Sequence, residues 1–384
     1  MKTISLIAVL AFGFMSCTAN NTEDPSSPPV SSDNNGRNDG TTYSALISKT
    51  QPYPSSYTEE TTHRGCIERI DYDTRDYAEG TGRTRTNTAY VYLPYGYDEN
   101  TDTRYNVLYL VHGHYGTAAT TFEAENESLR KVLDNMVANG DMAPTIVVSP
   151  SYNYGEPTAN YVDADPYCKA LPQELVSDLI PLVETRYRTY LASPDTEGIV
   201  ASRDHRAIGG FSMGAVTTWY ALAETFDAFK YYLPISGDCW SLGAFAGMNR
   251  PAQTAEYLAN VIRQSTHAKD FYIWAASGTS DSAYSETLLQ VRGMANMTDI
   301  FGLDHLTFHE KDGARHEYRP IPEYVYNALP FFFPTQNATG VNAVKTASGN
   351  TMQGNKYGID GIRKSDVNGI TIVNGKKFIK TIKQ

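Results

Sequence analysis

The stretch Gly210-Phe211-Ser212-Met213-Gly214 constrains this chain more than any other. Before it, Arg206-Ala207-Ile208-Gly209 reads as a short apolar strand, and after it residues 215–224 are good helix formers. A serine between the end of a strand and the start of a helix, with glycine on either side, has the pattern of a nucleophile elbow. The glycines remove side chains where strand and helix crowd together. The turn would lift the Ser212 hydroxyl above the sheet and set the Met213 amide at a helix N-terminus, where it can donate to a developing oxyanion. The same letters also describe a plain glycine-rich turn with a capping serine. The strand before it and the helix after it favour the elbow.

That setting continues along the chain. Strands are expected over residues 66–72, 88–93, 105–111, 145–148, 231–235, 271–276 and 306–309, besides the one that feeds the elbow. Helices are expected over 129–138, 171–187, 215–224, 254–264, 285–297 and 321–332. Residues 105–111 form a continuous apolar run, as a strand buried on both faces requires. Strands and helices in alternation predict an α/β chain with a mostly parallel central sheet and helices on both faces.

An elbow serine needs a base, a group to orient that base, and a second amide for the oxyanion. In this architecture the chain order is serine, then acid, then histidine. Asp281 lies in the turn Ser277-Gly278-Thr279-Ser280-Asp281-Ser282, directly after an apolar strand, where it could equally cap the following helix. Asp238, after the 231–235 strand, is the rival acid. Among the histidines that follow Asp281, His305 and His309 belong to the last strand, whereas His316 sits in the loop beyond it and can swing over the serine. The segment His112-Gly113-His114-Tyr115-Gly116 follows the 105–111 strand, and the His114 amide is the expected second oxyanion donor.

Taken together, Asn106-Val107-Leu108-Tyr109-Leu110-Val111-His112-Gly113, the segment Arg206 through Gly214, Pro234-Ile235-Ser236-Gly237, Gly278-Thr279-Ser280-Asp281-Ser282 and Gly313-Ala314-Arg315-His316 resemble the feruloyl esterases of carbohydrate esterase family 1. These belong to the esterase D-like branch of the α/β-hydrolases. The resemblance covers roughly residues 66–333 and implies the α/β-hydrolase fold. It implies hydrolysis of feruloyl or related hydroxycinnamoyl esters on xylan, with feruloylated xylan or xylo-oligosaccharide as partner and no cofactor or metal. On that pattern Ser212 is the nucleophile, His316 the base and Asp281 its orienter, and the amides of Met213 and His114 form the oxyanion hole. Tyr115 and Trp240 are the expected aryl-stacking wall, although Trp240 also suits loop anchoring. Three features depart from the family habit: Ala215 after the elbow, an apparent insertion over 191–203, and the loop extension Asp238-Cys239-Trp240. They bear on the substrate more than on the chemistry. An acetylxylan or other short-acyl esterase, an acyltransferase, and a catalytically silent glycan-binding surface protein are the alternatives.

The ends of the chain read differently. Residues 1–16 form a signal-peptide pattern, with Lys2 before an apolar run too short to span a bilayer. It ends at Phe14-Met15-Ser16-Cys17, which resembles a bacterial lipoprotein processing site, so Cys17 is the expected lipidation site. Residues 17–42 read as a flexible tether, 43–334 as the esterase body, and 335–384 as a linker with a short β-like tail resembling C-terminal secretion or anchoring segments. The chain is therefore expected outside the cytoplasm: secreted, periplasmic, or held on a membrane surface by lipid alone. A formal net charge of −11 argues against nucleic acid as a partner. Beyond Cys17 there remain Cys66, Cys168 and Cys239. An oxidising compartment permits one bridge, and Cys168 with Cys239, both expected in loops near the site, form the candidate pair.

Overall fold

The computed structural model describes residues 40–97, 102–122, 127–335, 369–373 and 376–380. The expected signal segment, the Cys17 lipidation site, most of the tether and the linker beyond residue 335 lie outside these. The described elements begin with α1 (Gly40–Leu46), β1 (Ile47–Lys49), β2 (Cys66–Arg75), β3 (Thr84–Leu93) and β4 (Asn106–Val111). Next come α2 (Glu127–Asn139), β5 (Thr145–Ser149), α3 (Asp165–Glu174), α4 (Ile180–Arg186) and α5 (Thr196–Ala201). The elbow region follows, with β6 (Arg206–Phe211), α6 (Met213–Glu224), β7 (Tyr231–Ile235), α7 (Ala246–Asn249) and α8 (Pro251–Gln264). The last elements of the body are β8 (Tyr272–Gly278), α9 (Tyr284–Ala295), β9 (Leu306–Lys311) and α10 (Ile321–Phe332). In the tail, β10 (Gly369–Val373) and β11 (Lys376–Lys380) pair as an antiparallel hairpin.

The body is built on a nine-stranded sheet in the order β1-β9-β8-β7-β6-β4-β5-β3-β2. From β5 through β1 all neighbours are parallel, while β2–β3 and β3–β5 are antiparallel. This is the α/β-hydrolase arrangement, and the residues explain why. Every residue of β4, β5, β6 and β8 is buried, as strands covered on both faces must be. Along β4, Val107, Tyr109 and Val111 enter one core and Leu108 and Leu110 the other. The first core takes most of its helical residues from α3, α4, α6, α8 and α9; the second takes Leu129, Leu133 and Met136 of α2 and Val325, Leu329 and Phe332 of α10. In β2, by contrast, the second half alternates buried and exposed, which fits an antiparallel edge with one wet face.

Some details depart from the sequence reading. The short edge strand β1 was not expected; it pairs with β9 in the register Ile47 to Phe308, and with three residues it is too short to carry a periodic signal. The helix expected over 171–187 starts earlier and contains a wide turn at 175–179, where the Ile180 amide donates to the Leu175 carbonyl. Pro181 follows directly and has no amide hydrogen to continue the regular ladder, which the wide turn accommodates. The 191–203 stretch does not reach the site. It carries α5, capped by the Asp195 side chain, and packs at the N-terminal end of β6, opposite the elbow.

There Arg206 is fully buried and anchors the elbow strand. Its guanidinium makes two 2.6 Å bonds to the Glu184 carboxylate of α4, and further bonds to the carbonyls of Ile199 and Ala228 and to the Ser202 hydroxyl. Stripping a buried charge of such a partner costs about 3–5 kcal/mol, so the root of β6 is held in one register.

Candidate active site

The sheet presents the C-terminal ends of β4, β6, β7, β8 and β9 on one side, where α/β sheets gather their ligands. At the centre, β6 stops at Phe211 and α6 starts at Met213, leaving Ser212 to make the whole turn. Its backbone sits at φ 57° and ψ −116°, a conformation that costs a non-glycine residue energy and persists only when its surroundings impose it. The Ser212 amide donates to the Ile235 carbonyl of β7 at 2.9 Å, and its carbonyl accepts from Ala215 and Val216. Gly214 lets the helix come down on the next loop. A Cβ there would lie 2.2 Å from the Val111 carbonyl oxygen at the end of β4.

His316 and Asp281 meet Ser212 in a line. His316 Nε2 is 2.9 Å from Ser212 Oγ, and Nδ1 is 2.7 Å from Asp281 Oδ1. A carboxylate can only accept, so the Nδ1 proton points at Asp281 and leaves Nε2 free to accept the serine proton. Asp281 is buried and also accepts from the Ala283 amide at 2.7 Å, so it pins the turn ahead of the next helix as well as holding the imidazole. The loops carrying the acid and the base are stitched together. Thr279 and Ser280 donate their amides to the carbonyls of Lys311 and Ala314, and Gly313 donates to the Thr279 hydroxyl. A Cβ on Gly278 would meet the Ala314 carbonyl at 2.2 Å, so only glycine permits this approach. Phe211 packs against the His316 ring, with centroids 4.6 Å apart.

Asp238, the rival acid, faces elsewhere. Its carboxylate accepts from Trp240 Nε1 at 2.7 Å and from the Met248 amide at 2.8 Å, and burial pushes its pKa up to about 6. It shapes the loop after β7.

The loop after β4 lies against the elbow. Gly113 donates its amide to the Tyr318 hydroxyl at 2.9 Å, and its carbonyl accepts from the Tyr152 hydroxyl and His112 Nδ1. Asn153 holds the Gly116 carbonyl at 2.9 Å. The buried His112 ring reaches Ser151 Oγ at 2.9 Å, and burial lowers its pKa to about 4, so it is neutral. These pins fix the backbone of the segment containing His114. The His114 imidazole itself turns to Thr158 Oγ1 at 3.0 Å. His114 and Met213 both line the cavity above Ser212.

That cavity has a volume of about 550 Å³. Tyr115, Tyr161, Trp240 and Phe245 form an aromatic wall, with Phe211 and Tyr318 beside His316. The two expected wall residues behave differently. Tyr115 is 78% exposed and packs on the His114 ring, whereas Trp240 is 3% exposed and locked by Asp238 and the rings of Tyr161 and Phe245. Tyr161, Phe245, Tyr318 and Glu286 were not picked from the sequence. Tyr318, two residues past His316, was the one open to recognition. Tyr161 lies in the tyrosine-rich stretch after β5, where the sequence offers no way to choose among Tyr152, Tyr154 and Tyr161 of the loop and Tyr167 of α3.

The expected Cys168–Cys239 bridge is not formed; Cys66, Cys168 and Cys239 are all free thiols. Cys168 lies inside α3 rather than in a loop, and Cys239 Sγ sits 3.3 Å from the Ser241 hydroxyl. Both are buried with hydroxyls of their own, Thr217 in the case of Cys168, and burial raises the pKa of each, to about 11 for Cys239.

The family model described as putative esterase matches residues 81–323. The chain is 35% identical over 289 residues to endo-1,4-beta-xylanase Y of Acetivibrio thermocellus, covering 74% of this chain and 24% of that protein. It is 28% identical over 190 residues to an endo-1,4-beta-xylanase/feruloyl esterase of Xylanibacter ruminicola, covering 47% of this chain and 23% of the relative. The chain thus spans about a quarter of the length of the curated relatives it matches. Among solved structures it is similar to a mutant of the feruloyl esterase module from Clostridium thermocellum complexed with sinapinate. The TM-score is 0.64 at 34% identity, over 75% of this chain and 94% of that one. A ferulic acid esterase of the anaerobic fungus Anaeromyces mucronatus shares the fold, with a TM-score of 0.52 at 22% identity over 74% of this chain and 96% of that one.

Proposed function

From the premise that this chain belongs to the putative esterase family, whose model matches residues 81–323, we propose that it is a serine esterase releasing feruloyl or related hydroxycinnamoyl groups from plant cell-wall xylan. One observation carries the reading: the line Asp281–His316–Ser212, with contacts of 2.7 and 2.9 Å, opens into a cavity walled by aromatic rings. The similarity to the feruloyl esterase module with bound sinapinate supports the aromatic acyl group.

In the proposed cycle Ser212 Oγ attacks the ester carbonyl carbon as His316 Nε2 takes its proton. The carbonyl oxygen, now anionic, rests on the amides of Met213 and His114. The imidazolium, held by Asp281, then gives its proton to the departing sugar oxygen, leaving an acyl group on Ser212. A water molecule, deprotonated by His316, attacks that acyl group, and the serine recovers its proton as the free acid leaves. Tyr115 and Trp240 flank the acyl group; Trp240, being locked, supplies the rigid face and Tyr115 the adaptable one.

The test is a panel of p-nitrophenyl acetate, methyl ferulate and feruloylated xylan. Methyl ferulate and feruloylated xylan are expected to give the higher kcat/KM, with free ferulate appearing. A marked preference for the acetyl ester would replace this reading with a short-acyl esterase, and turnover of none would remove the enzyme reading.

We also propose that the chain acts outside the cytoplasm, tethered through a lipid on Cys17, because Phe14-Met15-Ser16-Cys17 ends an apolar leader. In cells producing the full chain, Cys17→Ser should shift the protein from the detergent phase to the aqueous phase. Unchanged partition would refute the anchor.

A further inference from the structure

We propose that Glu286, on the wall of the cavity above Ser212, accepts a hydrogen bond from a hydroxyl group of the bound ester and so selects among esters. The inference rests on the esterase reading above and narrows it to a residue.

Glu286 lies in the first turn of α9, on the cavity lining beside Ala283, Val216, Trp240 and Phe245. A carboxyl group among such neighbours has lost much of its water, and burial pushes its pKa up to about 7. The other carboxylates near the site already have partners. Asp281 holds His316 and the Ala283 amide, and Asp238 holds Trp240 and Met248. Glu286 has no hydrogen-bond partner among the described residues. It is also outside the proton path, since both His316 nitrogens are taken by Asp281 and Ser212. A polar group held in a largely apolar wall without a partner is costly, and the cost is relieved when a ligand brings a donor. A site built in this way discriminates strongly against analogues that lack the donor. As a carboxylate Glu286 can only accept, and the donors that a feruloylated sugar offers are hydroxyls. Two parts of the substrate can supply one: a phenolic hydroxyl on the acyl group, or a sugar hydroxyl on the alcohol side.

The experiment compares the intact protein with Glu286→Leu and Glu286→Gln on two pairs of esters. Methyl 4-hydroxycinnamate against methyl cinnamate isolates the phenol, and a feruloyl arabinoside against methyl ferulate isolates the sugar hydroxyls. The unsubstituted protein is expected to favour the hydroxyl-bearing member of one pair by about 10- to 100-fold in kcat/KM, the worth of a hydrogen bond to a charged group. Glu286→Leu should bring that ratio close to one, mainly through KM. Glu286→Gln, which keeps an acceptor oxygen and the side-chain size, should retain part of it. Loss confined to the first pair identifies the phenol, and loss confined to the second identifies the sugar. Ratios that survive in both variants, or the lack of any preference before substitution, would overturn the role of Glu286 while leaving the esterase reading intact. An unsubstituted protein that cleaves none of these esters would instead overturn the esterase reading itself.

Discussion

Ser212→Ala is expected to lower kcat on methyl ferulate by about a million-fold, the loss seen when a nucleophile is removed from a triad that works as a unit. The alanine variant keeps the φ of 57° that the neighbouring bonds impose, so its backbone strain matches that of serine. The Ile235 bond to the residue 212 amide and the Gly214 contact with the end of β4 do not involve the hydroxyl. The melting temperature should therefore change little, and ferulate esters should still bind in the aromatic cavity. This combination separates the chemistry from the fold. Turnover close to that of the unsubstituted protein would show that Ser212 is not the attacking group.

Asp281→Asn carries the next largest loss, about 10,000-fold in kcat. The carboxylate accepts at 2.7 Å from His316 and at 2.7 Å from the Ala283 amide. An asparagine keeps the size, but its amide nitrogen presents a donor. Both bonds fall on Oδ1, so an asparagine oxygen placed there would still accept them but without the charge that steadies the imidazolium, whereas an amide nitrogen placed there would drive the ring proton to Nε2, where it can no longer accept from Ser212. Asp238→Asn is the control that the sequence calls for, because both acids follow strands that end at the site. Asp238 is spent on Trp240 and Met248, and asparagine oxygen can still accept one of those bonds. Its substitution should cost no more than about tenfold, the worth of one hydrogen bond. A large loss on Asp238→Asn with a small one on Asp281→Asn would exchange the two roles.

Much of the fold was legible because its central strands are continuous apolar runs. The expected 231–235 strand and 321–332 helix match β7 and α10 residue for residue. The exceptions have local causes. The helix before the elbow widens at 175–179, just ahead of Pro181, and β1 is held by its neighbour rather than by its own pattern. The 191–203 stretch looked like a change at the substrate side. It proves to be scaffolding, since Ile199 and Ser202 bind Arg206 at the far end of β6.

The site divides in the same way. Ser212 directly follows β6, and Asp281 and His316 lie in the loops after β8 and β9, so order and position sufficed to anticipate that they converge. Residues whose part depends on what they face were beyond reach. Nothing local marks Asn153 as the clasp on Gly116, or Glu286 as a carboxyl without a partner among the described residues. The Cys168–Cys239 pairing failed for the same reason: whether two thiols join depends on which way two separate elements turn, and here they face different hydroxyls.

By itself, then, the sequence determined the alternation of strand and helix, the turn at Ser212 and the chain order of Ser212, Asp281 and His316. These follow from short-range rules, the periodicity of apolar residues and the glycines that allow tight turns. Only the tertiary structure decided which acid reaches His316, which aromatic rings wall the cavity and where the inserted stretch lies. Those choices depend on contacts between residues distant in the chain, as where Gly278 lets the acid loop approach Ala314 of the histidine loop. Such contacts are fixed by how the layers close on the sheet, and no single segment carries that information.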